Sequence, residues 1–207
     1  MIRANAETLL DGALDDRSLS EEFVSAVLRN SERLSNLIGD LLDLSQIEAG
    51  HYEMNLVGIS VSGAIRRTID SVGHAAGKKN MTISQATTED VQVLADMQAL
   101  DQVLLNLVEN AVKYTPVDGT VVIRSVAFEG AIRIEIEDDG VGVAPEHRDR
   151  LFERFYRVDP GRSKQMGGTG LGLAIVKHLV GAMGGLVGMR PSPEQGSIFW
   201  VELPLVK

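Results

Sequence analysis

Three observations place this sequence in the α+β class, as an antiparallel-rich sheet with helices on one face, preceded by an α-helical hairpin. Up to about residue 49 the only periodicity is helical. From about residue 60 onward strands and helices alternate in partly segregated groups. In the second region the run IRIEIED sets Ile132, Ile134 and Ile136 against Arg133, Glu135 and Glu137, the alternation of a strand with one buried face.

The hairpin comes first. In EEFVSAVLRNSERLSNLIGDLLDLSQIEAG, Val27, Leu34 and Leu41 stand one heptad apart, and Leu37 and Leu44 take the alternate position beside Ile38 and Leu42. That is the seam of a bundle or coiled coil. Ser20 before Glu21 and Glu22 reads as the N-cap of this helix. A shorter first arm carries Ile2, Ala6, Leu9 and Ala13 on one side, with LDDRSLS as the turn. So much apolar seam on so short a hairpin predicts a homodimer. The reading is a hairpin over 1–49, a linker over 50–59 that has room for a short strand, and a second domain over 60–207.

In the second domain the pattern predicts a helix over 61–76, short strands near 81–85 and 91–95, and a long helix over 97–113 that stops before Pro116. A β-hairpin turns at Glu129-Gly130. A helix then follows the glycine-rich loop to Met183 and is closed by Gly184-Gly185, before two final strands.

The bulk numbers narrow the function. In 207 residues, 44% are hydrophobic, enough for a core, and no apolar run is long enough to span a membrane. The absence of cysteine excludes disulfides and thiolate metal sites and fits a cytoplasmic domain. A formal charge of -9 argues against nucleic acid as the main partner.

Four segments carry candidate chemistry. In LDQVLLNLVENAVKYTP, Asn106, Asn110 and Lys113 cluster beside an apolar stripe, with Tyr114 at its edge. Asparagine is a poor helix former. The pattern is either a plain polar flank or a hard-cation and phosphate site, with amide oxygens for magnesium and lysine for phosphate charge. In EDDGVGV, Asp138 ends a strand and Gly140 and Gly142 follow. This is a common turn, or a carboxylate acceptor for an exocyclic amine with glycines that let a ring approach the backbone. In LFERFYRVDPGRSKQ, three aromatic residues lie among Arg154, Arg157, Arg162 and Lys164. They anchor a loop, and the polar stretch after Tyr156 reads as a mobile lid whose cations reach a phosphate tail. Finally, MGGTGLGLAIVKHLV runs glycines into a helix, as helix N-termini that meet phosphate do. It is neither a Walker loop, since no lysine precedes Lys177, nor a dinucleotide fingerprint, since Leu173 occupies the third glycine position.

Together and in this order, the segments resemble the N, G1, F and G2 boxes of the catalytic domain of sensor histidine kinases of two-component systems. NLVENAVKYTP, DDGVGV, LFERFYRVD and GGTGLGLAI are the matching stretches, and GSIFWVELPL resembles the closing strand. The hairpin resembles the family's dimerisation and phosphotransfer module. The resemblance implies a Bergerat-type, two-layer α/β sandwich that binds ATP and Mg2+. Asn110 would coordinate magnesium with Asn106 in support, Lys113 would contact phosphates and Tyr114 would flank adenine. Asp138 would take the adenine amine between Gly140 and Gly142. Arg154 and Arg157 would be candidates for the phosphate tail, while Gly168, Thr169, Gly170, Leu171, Gly172 and Leu173 would form the lid's end and the helix entry. The partner implied is a response regulator receiver domain.

The resemblance also implies a phosphoacceptor histidine in an H box on the first hairpin helix, and no such box is in this sequence. His51, His74, His147 and His178 lie elsewhere and read as ordinary histidines. The expectation is a truncated form of a longer kinase, ahead of a naturally shortened one, that binds Mg-ATP without phosphorylating itself. ATP hydrolases of the same fold resemble one another in a glutamate where this sequence has Asn106, so water activation should be poor. Glu109 lies about 100° around the helix from Asn110 and is not expected to replace it. The alternatives are a nucleotide-binding regulator or decoy that pairs with an intact kinase or response regulator, and a slow ATPase.

Overall fold

The computed structural model describes residues 2–11, 13–49, 52–86, 91–128, 130–158 and 168–206. The lid stretch with Arg162 and Lys164, and His51, lie outside the described residues.

The hairpin consists of α1 (Ile2–Leu10), a short 3-10 turn (Ala13–Asp15) and α2 (Arg17–Glu48). Ser20 is not the N-cap of α2. Asp16 is: its Oδ1 accepts from the backbone N–H of Ser18 at 2.9 Å and of Leu19 at 3.2 Å. An ionised carboxylate facing two free amides at the positive end of the helix outcompetes a hydroxyl. Ser20 is instead absorbed into the first turn, where its Oγ donates to Arg17 O.

After the hairpin come β1 (Val57–Ser60), α3 (Val61–Lys78), β2 (Thr82–Gln85), β3 (Gln92–Ala95) and α4 (Met97–Tyr114). They are followed by β4 (Thr120–Phe128), β5 (Ala131–Asp138), α5 (Pro145–Arg148), α6 (Gly172–Ala182), β6 (Leu186–Pro191) and β7 (Ser197–Pro204). The main sheet has the order β2-β4-β5-β7-β6, and only the β2–β4 pairing is parallel. The short strand for which 50–59 has room is β1. It pairs antiparallel with β3 in a separate two-stranded sheet, so the two short strands before α4 go to different sheets.

Ser60 caps α3 by accepting from Gly63 N, and Asp96 caps α4 by accepting from Ala99 N, both at 2.9 Å. The second oxygen of Asp96 takes Asn55 N at 3.0 Å and so ties the connection after the hairpin to the start of α4. The apolar stripe of α4, with Leu100, Val103, Leu104 and Leu107, packs with Ile175 and Leu179 of α6. Ile132, Ile134 and Ile136 of β5 lie in the same core, all fully buried. The opposite face of the sheet is crossed by the ion pairs Arg124–Glu137, Arg133–Glu202 and Arg190–Glu135. From the hairpin, Leu44 joins the sandwich core with 2% exposure, and Leu37 and Ile47 pack against it partly buried.

Candidate functional site

The C-terminal half of α4, the turn after β5, the segment after α5 and the entry to α6 open onto one cleft of about 740 Å³. Twelve of the fifteen expected site residues line it: Asn106, Asn110, Lys113, Tyr114, Asp138, Gly142, Arg157, Gly168, Thr169, Gly170, Gly172 and Leu173. The other three stand outside the lining. Gly140 is buried immediately behind the wall, where its N–H donates to Asp138 Oδ1 at 2.9 Å. Leu171 is fully buried in the core ahead of α6. Arg154 is exposed, and its charge bears on His178, whose pKa is lowered by burial and by the nearby Arg154 and Lys177.

Close backbone approach joins the segments. A Cβ on Gly172 would stand 2.8 Å from Asn106 Oδ1, so the entry to α6 lies directly on the carboxamide row of α4. Gly170 has φ +78, and a Cβ there would meet Phe155 Cα at 3.0 Å. Phe155 itself has φ 60, uncommon for a bulky residue, and its N–H donates to Gly170 O at 2.9 Å. The two ends of the lid stretch are therefore tied together. Tyr156, in the lining, shares a 2.6 Å hydrogen bond with His147 Nδ1, and the Arg150 guanidinium lies 4.3 Å from its ring centre.

The electrostatics divide the cleft. At one end Asp138 is 5% exposed, and burial pushes its carboxyl up to about 6. Amide donation from Gly140 and Ser197 opposes the shift, and the neighbouring Asp139 and Glu137 add to it. This is an acceptor in a dry wall, suited to an exocyclic amine. Elsewhere in the lining, Arg157 has its Nε and Nη2 buried without a hydrogen-bond partner among the described residues. A buried guanidinium with open donors is a site for an anion. Lys113, beside Asn110, supplies a further cation. Among the described residues no group of three or more His, Cys, Asp or Glu could hold a metal. The carboxamides of Asn106 and Asn110 suit magnesium, which takes few protein ligands when phosphates supply the rest.

The sequence pattern missed one wall. Ser35, Asn36, Gly39, Asp40 and Asp43 of α2 also line the cleft. Thr169 Oγ1 donates to Asp40 Oδ2 at 2.8 Å, and Gln102 Nε2 donates to Asp43 Oδ2 at 2.9 Å. Burial raises the Asp40 carboxyl, with Thr169 donation opposing and Asp43 adding. Glu109 lines the cleft as well. Burial raises its carboxyl too, against the lowering effect of Lys113.

A family model described as histidine kinase-, DNA gyrase B-, and HSP90-like ATPase matches residues 95–207, and one described as His Kinase A (phospho-acceptor) domain matches residues 1–50. The chain belongs to the sensor histidine kinases.

Among sensor histidine kinases, the sensor-like histidine kinase SenX3 of Mycolicibacterium smegmatis is 35% identical over 96% of this chain and 52% of its own length. The phosphate regulon sensor protein PhoR of Pseudomonas aeruginosa is 36% identical over 96% of this chain and 45% of its own. The chain thus spans about half the length of the curated relatives it matches. Full-length ShkA, solved in complex with AMPPNP, superposes with a TM-score of 0.78 at 35% identity, over 90% of this chain and 39% of that one. The mycobacterial sensor histidine kinase MprB superposes with a TM-score of 0.65 at 30% identity, over 72% of this chain and 97% of that one. Both the five-stranded sheet packed against helices and the hairpin before it are features of this histidine kinase fold.

Proposed function

We propose that this chain is the ATP-binding catalytic portion of a sensor histidine kinase, which transfers the γ-phosphoryl group of Mg-ATP to a histidine for relay to a response regulator aspartate. One observation carries the reading: four separate segments meet in one cleft with a buried acceptor, Asp138, in one wall and in another the Arg157 guanidinium, whose Nε and Nη2 have no hydrogen-bond partner among the described residues. ShkA, solved with an ATP analogue, supports the ligand class.

In this reading Asp138 receives the adenine amine, Asn110 holds magnesium with Asn106 in support, and Lys113 and Arg157 bind the phosphates. Arg157 is preferred to Arg154 because its donors are buried and open. Phosphoryl transfer is mainly positioning and charge stabilisation, so these groups suffice once a nucleophile enters. With Asn106 in place of a carboxylate, water is a poor competitor for the γ-phosphoryl group. No histidine lies in the hairpin 1–49, which serves as the dimerisation module, with 50–59 as linker and 60–207 as the catalytic domain. The acceptor in this reading is a histidine borne on a phosphotransfer helix. No described helix is long and apolar enough to cross a membrane, and the domain is assigned to the cytoplasm, where ATP and the receiver domain are found.

The test is incubation of the chain with labelled ATP and a histidine-bearing helical hairpin. Acid-labile phosphate on the added hairpin is the expected result. Free phosphate without label on the hairpin would point to hydrolysis and contradict the proposal.

A further inference from the structure

We infer that Lys79, outside the cleft lining, is a positioning residue for the nucleotide site. Its ammonium holds the C-terminal end of α4, and with it Lys113 and Tyr114, against the Asp138–Gly140 wall. The inference rests on reading the cleft as a nucleotide site.

The need arises in the sequence. The last carbonyls of a helix have no intrahelical donors. In α4, Ala111 O is served by Thr115 N at 3.0 Å. Val112 O would next take the N–H of residue 116, but residue 116 is proline and has none. Lys79 supplies the missing donor. Its Nζ lies 2.7 Å from Val112 O, 3.0 Å from Lys113 O and 2.8 Å from Thr115 O. An ammonium has three N–H donors, and three carbonyls accept here. Its positive charge also sits at the negative end of the helix.

The backbone around Lys79 fixes where that ammonium stands. Lys79 O accepts from Asp118 N at 2.9 Å. Asn80, in the left-handed region at φ 52, donates from Nδ2 to Asp118 Oδ1 at 2.6 Å. Thr82 N donates to Gly119 O at 3.0 Å where β2 meets β4. The turn after α3 and the turn after α4 are thus bound side by side.

There is no slack between this helix end and the proposed adenine wall. A Cβ on Gly140 would stand 2.9 Å from Tyr114 O and 2.7 Å from Asp138 Oδ1. Any shift of the α4 end is therefore passed to Gly140, whose N–H holds the Asp138 carboxylate. Lys113 and Tyr114 lie on the same end and line the cleft, the Lys113 ammonium 5.3 Å from the Tyr114 ring centre. Losing the Lys79 contacts moves a phosphate ligand and the adenine wall together, and small misplacements in such sites are costly.

The test compares Lys79→Met, Lys79→Arg and Arg133→Met in the full chain, measuring the Kd for Mg-AMPPNP by calorimetry and Tm without nucleotide. Arg133→Met removes an ion pair on the open sheet face and controls for simple destabilisation. Lys79→Met should raise Kd about tenfold, the scale of hydrogen bonds from a charged donor. Lys79→Arg should recover part of the loss, and Arg133→Met should lower Tm with Kd unchanged. The Gly140 amide resonance should move in Lys79→Met and return toward its original position in Lys79→Arg. Should Lys79→Met not fold, Lys79→Gln replaces it under the same criteria. A Kd within twofold of the parent, or an equal loss in Arg133→Met, overturns the inference alone. A parent chain that fails to bind overturns the site reading and this inference with it.

Discussion

The hairpin and the sandwich use similar proportions of apolar side chains in opposite ways. In the sandwich, Ile132, Ile134 and Ile136 are fully buried between sheet and helices. On α2, Leu34, Ile38, Leu41 and Leu42 are 51%, 52%, 53% and 58% exposed. Toward the sandwich the same helix turns Leu44, which is buried in the core, with Leu37 and Ile47 partly buried against it. The difference shows where each fold is completed. The sandwich closes its core within one chain, whereas a two-helix hairpin leaves a stripe that only another surface can cover. That is the physical basis for proposing a homodimer through the hairpin.

The largest effect expected follows from this contrast. Ile134→Ala should destabilise the sandwich by about 3 kcal/mol in chemical denaturation, the range for a large buried aliphatic residue. Leu41→Ala should leave the unfolding of the sandwich within about 0.5 kcal/mol, as for an exposed site, while weakening self-association in sedimentation. Equal destabilisation by the two would erase the distinction between the regions.

A second prediction sharpens it within the sandwich. Asp138 has a folded-state pKa near 6 against an ordinary 3.8, so the folded chain takes up its proton more readily than the unfolded one. Its effect on stability is therefore most favourable below about pH 4, and stability declines as pH rises from about 4 to 6, by an order of 3 kcal/mol in total. Nucleotide binding should run the other way, because an amine needs the ionised carboxylate. Affinity should fall about tenfold per pH unit below pH 6. Asp138→Asn should accordingly raise Tm at pH 7 and weaken binding, and a variant that loses both would contradict the assignment.

The smallest effect concerns the joint between the regions. Asp40→Ala removes the acceptor for Thr169 Oγ1 and should cost about 1 kcal/mol. Hydrogen exchange should speed in the second half of α2 and remain unchanged in β5. Unaltered exchange in α2 would show that the bond does not hold the hairpin.

Much of this was legible in the sequence for local reasons. The α4 stripe and the β5 alternation are short-range periodicities, and each box lies within one segment. What escaped depends on distance or on competition. Asp40 and Thr169 are 129 positions apart, and nothing in the polar side of a heptad repeat marks it as the wall of a cleft. Lys79, in a GKKN turn, has the pattern of a solvated lysine until the missing amide of Pro116 is set beside it. Ser20 was outcompeted as a cap by the charged Asp16 one turn earlier. Arg154 and Arg157 are equivalent in sequence and separate only by burial, one exposed and the other with open donors in the cleft.

Whether one cleft holds magnesium and nucleotide together is decided by calorimetric titration of Mg-AMPPNP into the parent chain, Asn110→Asp and Asp138→Asn at pH 7.5. The expected result is one site per chain in the parent and affinity lower by about tenfold or more in each variant, the scale of a lost charged hydrogen bond or metal ligand. Unchanged affinity in both variants would contradict it.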